Sequence, residues 1–142
     1  MSISSANAVI MFTAGVVFPQ PYQLQQFSAD NVLGSDPIAA AETQMGVDGK
    51  LTAGFINTPT RQTYYLMADS PSTYFFDQLY FQEKSQQDKI PIFGSIIFPA
   101  VKKRWAMVKG FLVEYPPVPR AGKTLKELEY IVLWESALPQ PF

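Results

Sequence analysis

The chain has 142 residues, of which 47% are hydrophobic and 16% charged, and its formal net charge is −1. It contains no histidine and no cysteine, which excludes Ser-His-Asp and Cys-His catalysis, the usual zinc sites, haem ligation through these residues and disulfides. The near-neutral charge argues against a dedicated nucleic-acid-binding protein. No apolar run approaches the roughly 20 residues of a membrane span, and the N-terminus lacks the basic region of a signal peptide.

The length predicts one domain over residues 1–142, large enough for a hydrophobic core. The charged fraction lies well below the roughly 25% of an average globular chain. We therefore expect part of the surface to be buried in an assembly, with a sparsely charged monomer as the alternative.

The first third of the chain predicts two short strands. Ala8–Phe12 is an apolar strand, and Tyr22–Ala29 is a weakly patterned one. Between them, Phe18–Tyr22 is expected to be a kinked connector, because each proline forces the preceding residue into an extended conformation. Asp30–Pro37 is polar and typical of turns.

A long β-hairpin is predicted over Ile38–Asn57, with its tip at Gly46–Lys50. The tip contains Val47-Asp48-Gly49, and Asp-Gly favours the positive φ angles of a type I′ turn. The three alanines at 39–41 favour a helix instead. A strand is preferred because Pro37 and Gly46 leave room for barely two helical turns.

The middle of the chain predicts a strand at Arg61–Met67 and a helix at Pro71–Gln86. Ser70 is the candidate N-cap, and Pro71 suits the first helical position. An aromatic stripe at helical spacing should face the sheet; its members are Phe75, Phe76, Leu79, Tyr80 and Glu83.

The last third predicts three strands and a long loop. Ile90–Phe98 and Arg104–Gly110 are strands separated by a turn at Pro99–Lys103. The chain should then leave the sheet over Phe111–Pro119, because three prolines cannot donate to a ladder.

A closing strand is predicted within Thr124–Ser136. Its alternation places Leu128, Tyr130, Val132 and Trp134 on one face and Glu129, Ile131, Leu133 and Glu135 on the other. The fold class is therefore mainly β, a β-sandwich or partly open barrel of about seven strands with one flanking helix and the long hairpin.

No catalytic, cofactor-binding or metal-binding residue is predicted. Glu127 and Glu129 share a strand face, but their lysine neighbours indicate a solvated or interface charge cluster rather than an acid–base pair. The only basic run, Lys102–Arg104, could contact phosphate. Three charges at a β-turn more often form a solvated tip or pair with an acidic neighbour.

Charge is distributed unevenly along the chain. Residues 1–60 hold one base, Lys50, and four acids, namely Asp30, Asp36, Glu42 and Asp48. A mildly acidic hairpin suits a surface that must not retain DNA, because pairing with phosphate is what makes such binding tight.

The order of these elements resembles the tail tube proteins of contractile-tailed bacteriophages, which are similar to the tube protein of type VI secretion. The resemblance rests on the hairpin with its MGVDGK tip, the SPS helix start, and the Lys109-Gly110 strand followed by a terminal strand through Glu135. It implies a structural, non-enzymatic subunit that is assembled in the host cytoplasm and resides in the phage tail.

The resemblance also implies particular partners. Hexameric rings of the subunit would stack into a hollow tube inside a contractile sheath, joined to baseplate and tail terminator proteins, with DNA as passive cargo and no membrane contact. Stacking is expected through Gly46, Val47, Asp48, Gly49 and Lys50 and through the N-terminal arm. Glu42 and Asp48 are the candidate lumen residues, and Lys102, Lys103 and Arg104 would contact the sheath or a neighbouring subunit.

Two alternatives remain open. The chain could instead be a tube initiator, tail terminator or baseplate ring protein of the same virion. A lipocalin-type barrel for small ligands is a third possibility; it requires a hydrophobic interior on every strand, against which the Ala-, Gln- and Thr-containing hairpin argues.

Overall fold

The computed structural model describes residues 8–15, 17–27, 32–119, 121–122 and 124–141. These residues form nine strands and one helix, in the order β1 (Val9–Ala14), β2 (Phe18–Gln23), β3 (Leu33–Ser35), β4 (Ala41–Met45), β5 (Leu51–Phe55), β6 (Thr60–Leu66), α1 (Thr73–Gln86), β7 (Ile92–Phe98), β8 (Lys103–Glu114) and β9 (Leu128–Gln140). The expected N-terminal arm, the acid Asp30 and the base Lys123 lie outside the described residues.

Seven strands form one antiparallel sheet in the order β2-β1-β7-β8-β9-β6-β3, and β4 pairs with β5 in a separate two-stranded sheet. Within the described part of the chain, the edge strands β2 and β3 do not pair with each other, so the sheet stays open. The predicted mainly-β class, with one helix and a long hairpin, is confirmed.

The helix covers one face of the large sheet, and the core lies between them. Phe75 and Phe76 on the helix are fully buried. Phe76 stacks on Tyr130 of β9 with ring centroids 4.2 Å apart, and Phe75 lies 5.8 Å from Phe12 of β1. The predicted alternation of the closing strand is confirmed, and its even-numbered residues 128–134 form the buried face. Of the predicted stripe, only Tyr80 is exposed, and it stacks on the ring of Tyr115.

Two consecutive side-chain hydrogen bonds cross this core. The Trp134 indole N–H donates to the Tyr64 hydroxyl at 3.1 Å, and that hydroxyl donates to the Gln62 side-chain oxygen. Burial raises the pKa of Tyr64 above its ordinary value. It also raises the pKa of Tyr130, with the Asp77 carboxylate as a lesser cause. Both tyrosines therefore stay neutral near pH 7.

The helix begins two residues later than predicted. It starts at Thr73, and the N-cap residue is Ser72, whose side chain makes no capping bond. The Ser72 hydroxyl instead accepts from the Gln25 N–H at 2.6 Å, while the Ser70 hydroxyl accepts from the Ser72 N–H at 3.2 Å and donates to the Gln25 carbonyl at 2.5 Å. The predicted cap, Ser70, thus keeps a local bond from the Ser72 N–H, and both serine hydroxyls also hold the preceding segment at Gln25.

The helix ends at Gln86, as predicted, and a buried carboxylate holds the segment that follows it. Glu83 is 6% exposed. One of its oxygens accepts from the Ile90 N–H at 2.9 Å, and the other accepts from the Lys89 ammonium at 3.1 Å. Lys89 also donates to the Leu112 carbonyl at 2.8 Å, so Glu83 joins the helix end to β7 and β8.

The predicted connector at Phe18–Tyr22 is wrong, because this segment is the edge strand β2. Pro19 and Pro21 fit there since an edge strand needs donors on one side only. The Leu24 N–H donates to the Ile10 carbonyl of β1 at 2.9 Å, and backbone donors alternate sides along a strand. The nitrogen of Pro21, next to the paired residue Tyr22, therefore lies on the open side, where it removes one outward N–H group. Pro19 lies within an irregular stretch of the ladder between Tyr22 and Phe18.

The strand predicted at Tyr22–Ala29 does not form beyond Gln23. Leu24 is buried without strand pairing, and Phe27 makes only an isolated bridge to Leu66. Residues 28 and 29 lie outside the described part.

The predicted exit from the sheet at Phe111 is also wrong. Strand β8 continues to Glu114, with Phe111 opposite Leu133. A bulge lies between Met107 and Gly110, where three residue steps of β8 lie opposite two of β7. A bulge lets a strand bend while its pairing continues. Strand β9 likewise extends past the predicted end to Gln140. In the described residues, no helix is long and apolar enough to cross a membrane.

Candidate assembly surfaces

The hairpin, residues Ala41–Phe55, forms as predicted and stands in solvent. Every residue from 41 to 55 is exposed. At the tip, the Gly46 N–H donates to the Lys50 carbonyl at 2.8 Å, and the Lys50 N–H donates to the Asp48 carboxylate at 3.1 Å. Gly49 has a φ of +84°, which glycine adopts without strain.

The hairpin has one apolar and one polar face. The register pairs Ala41 with Phe55, Thr43 with Ala53 and Met45 with Leu51, so these six residues share a face. The opposite face carries Glu42, Gln44, Thr52 and Gly54. Phe55 is 82% exposed, and Met45 and Leu51 are about as open, at 62% and 63%. The alternation of apolar and polar residues along each strand is visible in the sequence. That the apolar residues of β4 and β5 lie on the same face follows only from the observed register.

The two candidate lumen residues occupy different parts of the hairpin. Glu42 lies on the polar face opposite Gly54, whereas Asp48 lies at the tip and is held by its bond from Lys50. Both carboxylates are exposed. Their lumen role stays a prediction, as does the stacking role of the tip.

The basic turn, Lys102–Arg104, links β7 to β8. The Lys102 N–H donates to the Pro99 carbonyl at 3.2 Å, and Lys102 has a φ of +54°. All three basic residues are exposed, and no carboxylate of the described chain pairs with them. Their charges are available to a partner.

The interior does not suit the barrel alternative. The enclosed side of the sheet is filled by large buried side chains, including Trp134, Tyr64, Phe12 and Phe75. A groove of about 420 Å³ lies near the root of the hairpin and is lined by residues such as Trp105. It opens beside this packed core rather than replacing it, so a lipocalin-type ligand cavity is not formed. The described residues include no acidic cluster suited to a metal ion.

The sheet face away from the helix is mixed, with apolar side chains among polar and charged ones, a feature that sequence reasoning missed. Strand partners lie on the same face, so Val9 lies beside Ile97 and Phe111 beside Leu133, on the side away from the helix. This uncovered sheet face includes the apolar residues Val9, Met11, Phe93, Ile97, Phe111, Val113, Ile131 and Leu133. It also carries Thr13, Ser95, Thr63, Glu129, Glu135 and the ion pair between Arg61 and Glu114. Phe93 and Val113 are both 46% exposed and the other apolar residues half-buried.

The model of a protein family described as "Tail fiber protein gp32" matches residues 1–138. The chain belongs to this family. The predicted relationship to contractile-tail phage proteins is thereby confirmed at the level of a tail component. Among curated protein sequences, no match to the chain was found.

The fold of this family member recurs in contractile injection systems. A chain of the PVC sheath/tube terminator in the extended state is 14% identical, with a TM-score of 0.62 over 99% of this chain and 97% of that one. A chain of the anti-feeding prophage baseplate, reconstructed with six-fold symmetry, is 13% identical, with a TM-score of 0.57 over 99% and 98%. A chain of the anti-feeding prophage tube-terminating cap is 11% identical, with a TM-score of 0.57 over 100% and 93%.

Proposed function

We propose that this protein is a non-enzymatic, ring-forming structural component at an end of a contractile phage tail tube, as a terminator, initiator or baseplate ring protein. The observation that carries the proposal is the whole-chain likeness, at a TM-score of 0.62, to a chain of a sheath/tube terminator. The baseplate and cap structures support the same position.

Ring formation is supported by the shape of the subunit. The sheet is open, and the hairpin stands in solvent with an apolar face uncovered. Self-association in which different surfaces meet closes into a ring when the rotation permits. The six-fold symmetry of the similar baseplate suggests six subunits per ring.

Within this proposal, the hairpin tip, its carboxylates and the basic turn each have a contact or position in the ring. The tip Gly46–Lys50 contacts the adjoining ring, and Glu42 and Asp48 lie toward a lumen through which DNA passes without binding. The basic turn faces the sheath or a neighbouring subunit. Its lack of an intrachain partner among the described residues supports such a contact.

The repeating tube subunit is the second candidate. It is favoured by a chain of the PVC sheath-tube complex that is 13% identical, with a TM-score of 0.51 over 94% of this chain and 88% of that one. The lower coverage of that chain places this candidate second.

The copy number of the protein in purified particles distinguishes the candidates. Quantitative mass spectrometry against the sheath protein should give a small copy number that does not change with tail length. A copy number rising in proportion to the sheath would establish the repeating subunit instead, and absence from the particles would refute both.

The role of the tip has its own test. Deleting Val47–Gly49 should leave a folded protein whose rings no longer join an adjoining ring, as seen by negative-stain microscopy. Normal joining would show that the tip is not a contact.

A further inference from the structure

We propose that the bond between Asp48 and Gly49 at the hairpin tip isomerises spontaneously to an isoaspartyl linkage in the free subunit, and that contact of the tip with an adjoining ring prevents this change. The isomerisation follows from the geometry of the tip alone. Its prevention rests on the proposed ring function.

The reaction needs no cofactor and no oxidant. The Gly49 amide nitrogen attacks Cγ of the protonated Asp48 carboxyl group and forms a new C–N bond, while one carboxyl oxygen leaves as water with the carboxyl proton and the amide proton. Water then opens the resulting cyclic imide. Opening at the side-chain carbonyl restores aspartate, whereas opening at the main-chain carbonyl leaves the chain linked through Cγ, which is isoaspartate.

The Asp48 carboxyl group is held over its own turn. The Lys50 N–H donates to its Oδ1 at 3.1 Å, so the side chain folds back across Gly49. A Cβ atom built on Gly46 would lie 2.7 Å from the same oxygen, which places the carboxylate above the backbone of the tip. The N–H of Lys50 can also stabilise the negative charge that develops on this oxygen during the attack.

The attacking nitrogen is open to approach. Gly49 has no side chain, and nothing lies within 4 Å of the position that a Cβ atom would take there. Its N–H donates to the Gly46 carbonyl at 3.0 Å and must first be released. Strands β4 and β5 pair with no third strand in the described chain, and a two-stranded hairpin is at best marginally stable in water. Local opening of the tip therefore costs little free energy.

The pair Asp69-Ser70 provides an internal comparison. Ser70 is also small, but it is only 2% exposed, and its N–H donates to the Met67 carbonyl at 3.0 Å. The Asp69 carboxylate accepts from the Gln26 side chain at 2.6 Å. This pair is attached to the folded domain on both sides, so it should stay unchanged while Asp48 reacts.

Isomerisation would alter the surface that is proposed to join the rings. The isoaspartyl linkage adds a methylene group to the backbone of the turn, which then no longer closes Met45 against Leu51 in the observed register. A subunit that remains unassembled should therefore lose its ability to join. A tip held against an adjoining ring keeps the Gly49 N–H bonded and should escape the reaction.

The test compares free subunits with purified particles, both incubated at physiological temperature and pH in water enriched in heavy oxygen. Endoproteinase Asp-N cleaves before aspartate and not before isoaspartate. The free subunit should progressively lose cleavage at position 48, gain heavy oxygen in the peptide that spans the tip, and keep cleavage at position 69. The charge-matched control is Asp48→Glu, whose longer side chain closes the imide far more slowly and should gain no heavy oxygen at the tip.

Unchanged cleavage at position 48, or equal loss at positions 48 and 69, would overturn the isomerisation. Equal loss in particles and in free subunits would overturn its prevention by the ring contact and leave the isomerisation standing. Aged natural subunits should also join adjoining rings less often than fresh ones, whereas aged Asp48→Glu subunits should match their fresh preparation. Equal joining by aged and fresh natural subunits would overturn the consequence for assembly, and the copy number in particles decides the ring function separately.

Discussion

Gly110 lies directly beneath the largest buried side chain, and adding one methyl group there should disrupt the core. A Cβ atom at this position would be 2.4 Å from Cε3, 2.7 Å from Cδ2 and 2.8 Å from Cζ3 of Trp134. Real Cβ contacts are never this short, so either the ring or the β8 backbone must move in Gly110→Ala.

The indole ring has little freedom to move. Trp134 is fully buried, its N–H bonds the Tyr64 hydroxyl at 3.1 Å, and its ring lies 5.6 Å from that of Phe12. Overpacking a core costs about 1–3 kcal/mol. We expect the upper part of this range, about 2–3 kcal/mol, because displacement of the ring also weakens a buried hydrogen bond. The melting temperature should fall by about 5–10 °C.

Urea unfolding followed by tryptophan fluorescence and circular dichroism measures the change. The matched control is Gly34→Ala on β3, where an added Cβ has nothing within 4 Å, and this variant should stay within about 0.5 kcal/mol of the unmodified protein. A loss below about 0.5 kcal/mol for Gly110→Ala would refute the close packing of the two residues.

Three further predictions concern other parts of the fold. Glu83→Gln should lower the free energy of unfolding by about 1–2 kcal/mol through the lost ion pair, measured by urea titration, and an unchanged midpoint would show that the charge is dispensable. The folded-state pKa of Tyr130 is raised above the ordinary 10.0, so the unfolded chain ionises first and stability is lost as pH rises above about 10. Tyr130→Phe should therefore reduce the fall in melting temperature between pH 9 and 11, and an equal fall would contradict this. Replacing Pro21 with threonine should restore one outward donor and cause concentration-dependent association in sedimentation velocity; an unchanged monomer would show that this proline does not protect the edge.

Local patterns predicted those elements whose signals lie within a few residues of one another. The Asp48-Gly49 turn placed the hairpin, and the alternation of residues 128–134 separated the two faces of β9, because each depends on adjacent residues. The inward stripe of the helix followed from its spacing for the same reason. Which face of β9 is buried depends on the helix packed against it.

The segments whose structure was predicted wrongly depend on residues that are distant in the sequence. Strand β2 contains two prolines and is stable only because β1 pairs with its inner side. Strand β8 continues past Gly110 because its pairing with β9 runs in register through Leu112. The helix begins after Ser72 and not after the predicted Ser70, and the Ser72 hydroxyl accepts from Gln25, which is far away in sequence. The uncovered sheet face could not be predicted because it requires the strand order β1-β7-β8-β9.

The solvent-exposed hairpin also bears on the kinetics of assembly. In a free subunit, β4 and β5 receive no support from a third strand of the described chain, and fixing such a segment against a partner costs conformational entropy. Under the proposed ring function, the first ring must order several hairpins at once, so its formation is slow. A subunit that joins an existing ring has only its own hairpin to order. Assembly should therefore show a lag phase that preformed rings abolish. The site of ring formation would then be set by an existing template and not by the subunit concentration.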